Sequence, residues 1–119
     1  MESPPVMDLA AALDRFDGDQ DLFLTLAGLF VERSAQALAA IQTAVAAQDL
    51  SALVKEAHKL KGSAMEFCAR PSIAAAAALE ESARKAAVQD LAALGERVRA
   101  EVDRLTAVLV EIMEKGFPS

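Results

Sequence analysis

Residues 49–67 read DLSALVKEAHKLKGSAMEF, and their spacing decides the fold. Placed on a helix at about 100° per residue with His58 as the origin, Leu53, Ala57, Leu60, Ala64 and Phe67 fall between roughly 180° and 260°. These five residues make one apolar stripe, the mark of a helix that buries a single face against other helices. Asp49 supplies an N-cap oxygen at the start. His58 lies roughly 140° from the centre of the stripe and is expected to face solvent.

The same period runs outward in both directions. Upstream, from about Asp19 to Gln48, Leu22, Leu26, Leu29, Phe30, Ala37, Leu38, Ile41 and Val45 recur at spacings of three and four. Asp17-Gly18-Asp19 interrupts the chain before that helix. A short helix from about Val6 to Phe16, with Asp8 in its first turn, is expected before the break. Residues 1–5, with Pro4 and Pro5, read as a flexible tail. Downstream, Arg70-Pro71-Ser72 marks a break at which Pro71 suits a first helical turn. A fourth helix follows from Pro71 to about Ala86, its run Ala74 to Ala78 permitting close approach to a neighbour. Asp90 is the expected cap of a last helix, Leu91 to about Lys115, which Gly116 and Pro118 end. No stretch alternates as a strand would. The spacing predicts one all-α domain over 1–119: an antiparallel four-helix bundle with a short additional N-terminal helix and a histidine-bearing helix at about 50–67.

Composition agrees and narrows the function. The 119 residues are 54% apolar, with no Trp or Tyr and only five Gly. A chain of this length can bury about two thirds of its surface. The net charge of −6, from 18 acidic and 12 basic residues, opposes general nucleic-acid binding, which needs clustered cations to displace counterions. A lone cysteine, Cys68, excludes an internal disulfide and a cysteine-based zinc site. It is read as a small buried filler. No segment is read as apolar enough to span a bilayer, and residues 1–8 lack the order of a signal peptide. A cytoplasmic monomer is expected. The segments Met1 to Val6 and Gly116 to Ser119 read as natural ends, so a free-standing protein is expected too.

The single histidine carries the chemistry. Gly62, one turn on from His58, sits on the same face. Glycine inside a helix costs about 1 kcal/mol relative to alanine, and nothing in the stripe asks for it; it leaves open space beside the imidazole. Lys55, Lys59 and Lys61 gather positive charge there in an acidic protein, which suits an arriving phosphoryl group and docking to an acidic partner. A neutral imidazole offers a nucleophilic nitrogen near physiological pH. No Gly-rich phosphate loop, GxxxxGK[ST] or magnesium site accompanies it, so phosphate would come from a partner rather than from ATP. Ser63, at about 140°, stands at the edge of the stripe, where packing and function are equally good readings. Met65 lies beside His58, while the other Met and Phe residues are read as core. Metal and haem bundles are disfavoured, because they need Glu-x-x-His repeats or Cys-x-x-Cys-His.

His58-Lys59-Leu60-Lys61-Gly62-Ser63-Ala64, preceded by Ala57, resembles the H-x-L-K-G-S-[AS] signature of the histidine-containing phosphotransfer (HPt) family of bacterial two-component phosphorelays. Phe16-Asp17-Gly18-Asp19 with Leu22 and Phe30, the cap Asp49, and Leu79-Glu80 with Ala83-Arg84 extend the similarity over residues 13–110. The resemblance implies that His58 accepts the phosphoryl group and Lys61 stabilises it. Gly62 would give access, Ser63 would position the local helix, and Val54, Lys55, Lys59, Gly62 and Met65 would form the docking face. Receiver domains of response regulators and a hybrid sensor kinase are the implied partners. No cofactor is implied for this chain; Mg²⁺ would sit on the receiver. The alternative is an adaptor that docks receivers or kinases without transfer. Two departures stand out: Cys68-Ala69 where the family has Gly-Ala, which would change the loop's shape, and Lys85 to Asp90 where it has a shorter Gly-Asp.

Overall fold

The computed structural model describes residues 5–118, and no strand occurs among them. The helices are α1 (Leu9–Arg15), α2 (Gln20–Ala47), α3 (Leu50–Glu66), α4 (Arg70–Arg84) and α5 (Leu91–Lys115), with a 3₁₀ turn, Val88–Asp90, leading into α5. Each of α2 to α5 packs against its neighbours in the order α2, α3, α4, α5 and back to α2, the closed ring of an up-and-down bundle. The expected four-helix bundle with a short extra helix is thus observed. The tail assigned to residues 1–5 lies outside the described residues except for Pro5, which is exposed.

Three aspartates start three helices. Asp8, Asp19 and Asp49 accept from the backbone N–H groups of Ala11, Leu22 and Ala52 at 3.0, 3.0 and 3.1 Å. Each such cap contributes about 1 kcal/mol. Asp90 does not do the same: it has helical dihedrals inside the 3₁₀ turn and makes no side-chain cap. The longer Lys85–Asp90 connection coils into that turn and presents its own backbone to α5 instead.

The aromatic side chains gather at one end. Phe67 meets Phe16, Phe23 and Phe30 edge to face at centroid distances of 6.2, 5.4 and 5.6 Å, and Phe117 meets Phe23 at 5.3 Å. Phe16 brings α1 against this end, and the backbone N–H of Asp8 donates to the carbonyl of Cys68 at 3.1 Å. Away from the aromatic end the α3–α4 seam is built from small residues. Ala57, Ala64, Ala75, Ala76 and Ala83 are all buried, so the two backbones lie close.

Helix α2 departs from the sequence reading in two ways. Leu22 and Leu29 are 43% and 37% exposed, while Phe23, Ala27, Phe30 and Ser34 face the core. The helix is apolar on nearly all sides, so periodicity alone could not choose between adjacent stripes. By length and composition α2 could also cross a membrane, contrary to the expectation that no segment could. In this fold one face of it packs into the bundle, through Phe23, Ala27, Phe30, Ile41 and Ala44.

All four connections between helices contain a non-glycine residue with left-handed backbone: Asp17, Gln48, Cys68 and Ala86, at φ of 54°, 52°, 49° and 56°. Cys68 is therefore not simply a buried filler; it is half-buried and holds the conformation that glycine adopts freely. The loop keeps a glycine-type shape despite lacking the family's glycine. Left-handed geometry costs a residue with a Cβ about 1–2 kcal/mol, partly offset by glycine's greater freedom in the unfolded chain. Ala86→Gly and Cys68→Gly are each expected to raise stability by about 0.5–1 kcal/mol. Urea denaturation checks this, and a lowered midpoint in the exposed Ala86→Gly variant would refute it.

Candidate phosphotransfer site

His58 lies midway along α3 with its side chain 64% exposed, on the solvent side as its angle predicts. Ala57 and Leu60, its near neighbours, are buried and fix the helix face that carries the ring. A Cβ added at Gly62 would meet nothing within 4 Å, so the space beside the imidazole is open. Of the other residues singled out, Lys55, Lys59, Gly62 and Met65 are exposed and Val54 is half-buried. Lys55 has no ion-pair partner among the described residues, and Lys59 reaches Glu56 only at 4.0 Å. Ser63 is exposed and lines a groove of about 610 Å³ between α2 and α3, together with Leu26, Leu29, Arg33 and Lys59.

The residue that organises the site is Glu80, on α4. Its side chain is only 8% exposed, yet it is bonded on both oxygens. Oε1 accepts from Lys61 Nζ at 2.9 Å. Oε2 accepts from Arg84 at 2.8 Å and lies 3.1 Å from His58 Nδ1. Lys61 is thus next to the histidine as expected, but its ammonium is engaged by a carboxylate rather than free. Sequence reasoning noted Leu79-Glu80 and Ala83-Arg84 only as family likeness and gave neither charged residue a place in the site. A signal was available: Ala76, Leu79, Glu80 and Ala83 stand at helical spacing on one face. A carboxylate on such a stripe must find partners.

Arg84, then Lys61, hold the Glu80 carboxyl down at about 2 against the upward push of burial, and His58 adds to the lowering. An ionised carboxylate can only accept, so it is His58 Nδ1 that carries the hydrogen. In the neutral form of the ring this arrangement leaves the lone pair on Nε2. The same shift has a stability consequence. Because the folded value is depressed, Glu80 contributes stability above its ordinary value of 4.5, and this is lost as pH falls through about 2. Glu80→Gln is expected to lower stability at neutral pH and to flatten the acid limb of the stability curve between those values. Urea midpoints measured across that range check it; parallel curves for the two proteins would count against the network.

The site is thus an exposed histidine on a helix of a four-helix bundle, its Nδ1 tied to a buried carboxylate and its Nε2 without a partner among the described residues. A family model described as the Hpt domain matches residues 25–108. The chain belongs to that family, whose members are phosphocarriers of phosphorelays rather than kinases. The crystal structure of histidine-containing phosphotransfer protein B (HptB) from Pseudomonas aeruginosa PAO1 is similar over 95% of this chain and 98% of that one, with a TM-score of 0.87 and 26% identity. A search of curated proteins finds no match.

Proposed function

We propose that His58 is the phosphoacceptor and that this chain relays phosphate between receiver domains. The observation that carries the reading is the pairing of an exposed imidazole with a buried carboxylate on Nδ1. In the transfer step the Nε2 lone pair attacks the phosphorus of a receiver's aspartyl phosphate. The N–P bond forms as the P–O bond to the aspartate breaks, and the aspartate leaves as carboxylate. Nδ1 keeps its hydrogen on Glu80, which supports the positive charge that develops on the ring. Lys61 is positioned to turn from Glu80 to the incoming phosphoryl oxygens. The reverse attack by a second receiver's aspartate returns the ring to its starting state.

Gly62 leaves the approach to the ring open, and Val54, Lys55, Lys59 and Met65 form the face around it. Met65 is 48% exposed and supplies an adaptable apolar contact. The lysines suit the acidic rim of a receiver, which also brings any Mg²⁺. A hybrid sensor kinase can supply phosphate through its own receiver. The chain holds no cofactor in this scheme and acts as a cytoplasmic monomer without ATP-dependent kinase activity. The test is incubation with phosphorylated receiver domains, followed by phosphopeptide mapping. Acid-labile, alkali-stable phosphate on the peptide containing His58 is the expected result. Label on any other residue would reject the site, and no label from any receiver would reject the relay.

A further inference from the structure

The seam between α2 and α5 lies across the bundle from the α3–α4 seam, where His58 meets Glu80, because the helices close in the order α2, α3, α4, α5. On its outer side runs a groove of about 440 Å³, walled by Val31, Ala35 and Leu38 from α2 and by Thr106, Ala107 and Val110 from α5. Phosphotransfer at His58 makes no use of it. We propose that this groove docks a basic amphipathic helix of a partner protein, on the side of the bundle away from the phosphotransfer face. The inference goes beyond the relay reading and does not depend on it.

The groove is apolar in effect, because its hydroxyls are already engaged. Ser34 Oγ donates to the Val31 carbonyl at 3.1 Å, and Thr106 Oγ1 lies 2.9 and 3.1 Å from the carbonyls of Asp103 and Val102. An occupant therefore meets mostly methyl and methylene groups, and apolar side chains gain most by entering. From Val31 to Leu38 the α2 wall is about 10 Å long at 1.5 Å per residue. That is the span of apolar residues at i, i+3 or i+4, and i+7 on an incoming helix. Ala35 and Ala107, both exposed, keep the walls low, so a helix backbone can come close. Met113, 43% exposed, continues the apolar surface toward the C-terminal end of α5.

Charge selects the occupant. At about 100° per residue, Asp21 and Glu32 fall within roughly 60° of Ala35 on α2, and Glu96, Asp103 and Glu114 within roughly 40° of Ala107 on the α2 side of α5. All five are exposed. The one cation among the described residues of this side is Arg99, itself 3.9 Å from Asp103. Arg97, Arg104 and Lys115 turn toward α4, and the last two pair with Glu101 and Glu111 of their own helix. Arg33 lines the other groove, between α2 and α3. The rim thus sets five carboxylates against one guanidinium, which favours lysine and arginine on the polar face of whatever fills the groove. It opposes a second copy of this chain, whose matching rim would bring like charges together.

The experiment titrates the intact chain with a synthetic amphipathic helix that has leucine at i, i+3, i+4 and i+7 and lysine elsewhere. A second peptide carries glutamate in place of lysine. Amide NMR shifts map the contact, and their concentration dependence gives the affinity. Shifts centred on Val31 to Leu38 and Thr106 to Val110 are expected, with the glutamate peptide binding far more weakly. Ala107→Arg, which fills the groove from an exposed helix position that arginine tolerates, should weaken binding by about tenfold or more. Glu32→Lys should weaken it too and flatten its salt dependence, whereas Met65→Glu, on the His58 face, should leave it unchanged. Circular dichroism checks that each variant folds. Shifts centred on the α2–α3 groove, equal binding of the two peptides, or an affinity indifferent to Ala107→Arg would overturn the proposal. So would sedimentation showing a wild-type dimer that Ala107→Arg dissociates, which would assign the groove to a second copy. No phosphate enters the measurement, so failure of the relay reading would leave its outcome intact.

Discussion

A His58→Gln chain is expected to fold as the wild type does and to accept no phosphoryl group. The side chain at 58 is largely in solvent and fills no part of the core, and glutamine enters helices readily. Its amide N–H₂ can still donate to Glu80. Surface changes of this kind stay within about 0.5 kcal/mol. The amide nitrogen has no lone pair available for attack, because it is delocalised into the carbonyl. Loss of transfer should therefore be complete, with circular dichroism and urea midpoint unchanged. Phosphorylated receiver offered to both proteins checks this; acid-labile label retained by the variant would show that another residue is the acceptor.

The largest loss of stability is expected from Phe67→Ala. Phe67 is fully buried, sits at the C-terminal cap of α3, and is the ring on which three others converge. Truncating a buried phenylalanine costs about 3–5 kcal/mol, a large share of the roughly 5–15 kcal/mol that holds a domain together. The loss is enlarged here because Phe16, Phe23 and Phe30 come from α2 and the segment just before it. They cannot all move in to close the same void. Urea denaturation measures the effect, and a loss under about 1 kcal/mol would show that the aromatic end is not the main anchor of the bundle.

Much of this was legible in the sequence, for identifiable reasons. Helix α3 has a narrow stripe and a clean cap at Asp49, so both its boundaries and the outward direction of His58 follow from local spacing. Pro71 and Asp17-Gly18-Asp19 punctuate the chain where helices do break. Helix α2 was harder, because Leu22 and Leu29 carry the same hydropathy signal as Phe23 and Phe30. The carboxylate at the heart of the site was missed because its role depends on the register of α4 against α3. Glu80 and His58 are 22 positions apart, and only their packing shows that they meet. The same register explains why Lys61, chosen for its charge, is found with a partner already in place.

Gly62 links folding to function in a less obvious way. A methyl group added there would have no neighbour within 4 Å, so alanine would fit and would strengthen the helix by about 1 kcal/mol. On the proposed reading, that methyl would stand in the path of the approaching receiver. Heat tolerance and signalling thus pull this position in opposite directions. Selection for a hardier scaffold alone would drift toward a bundle that stays folded longer and passes on no message.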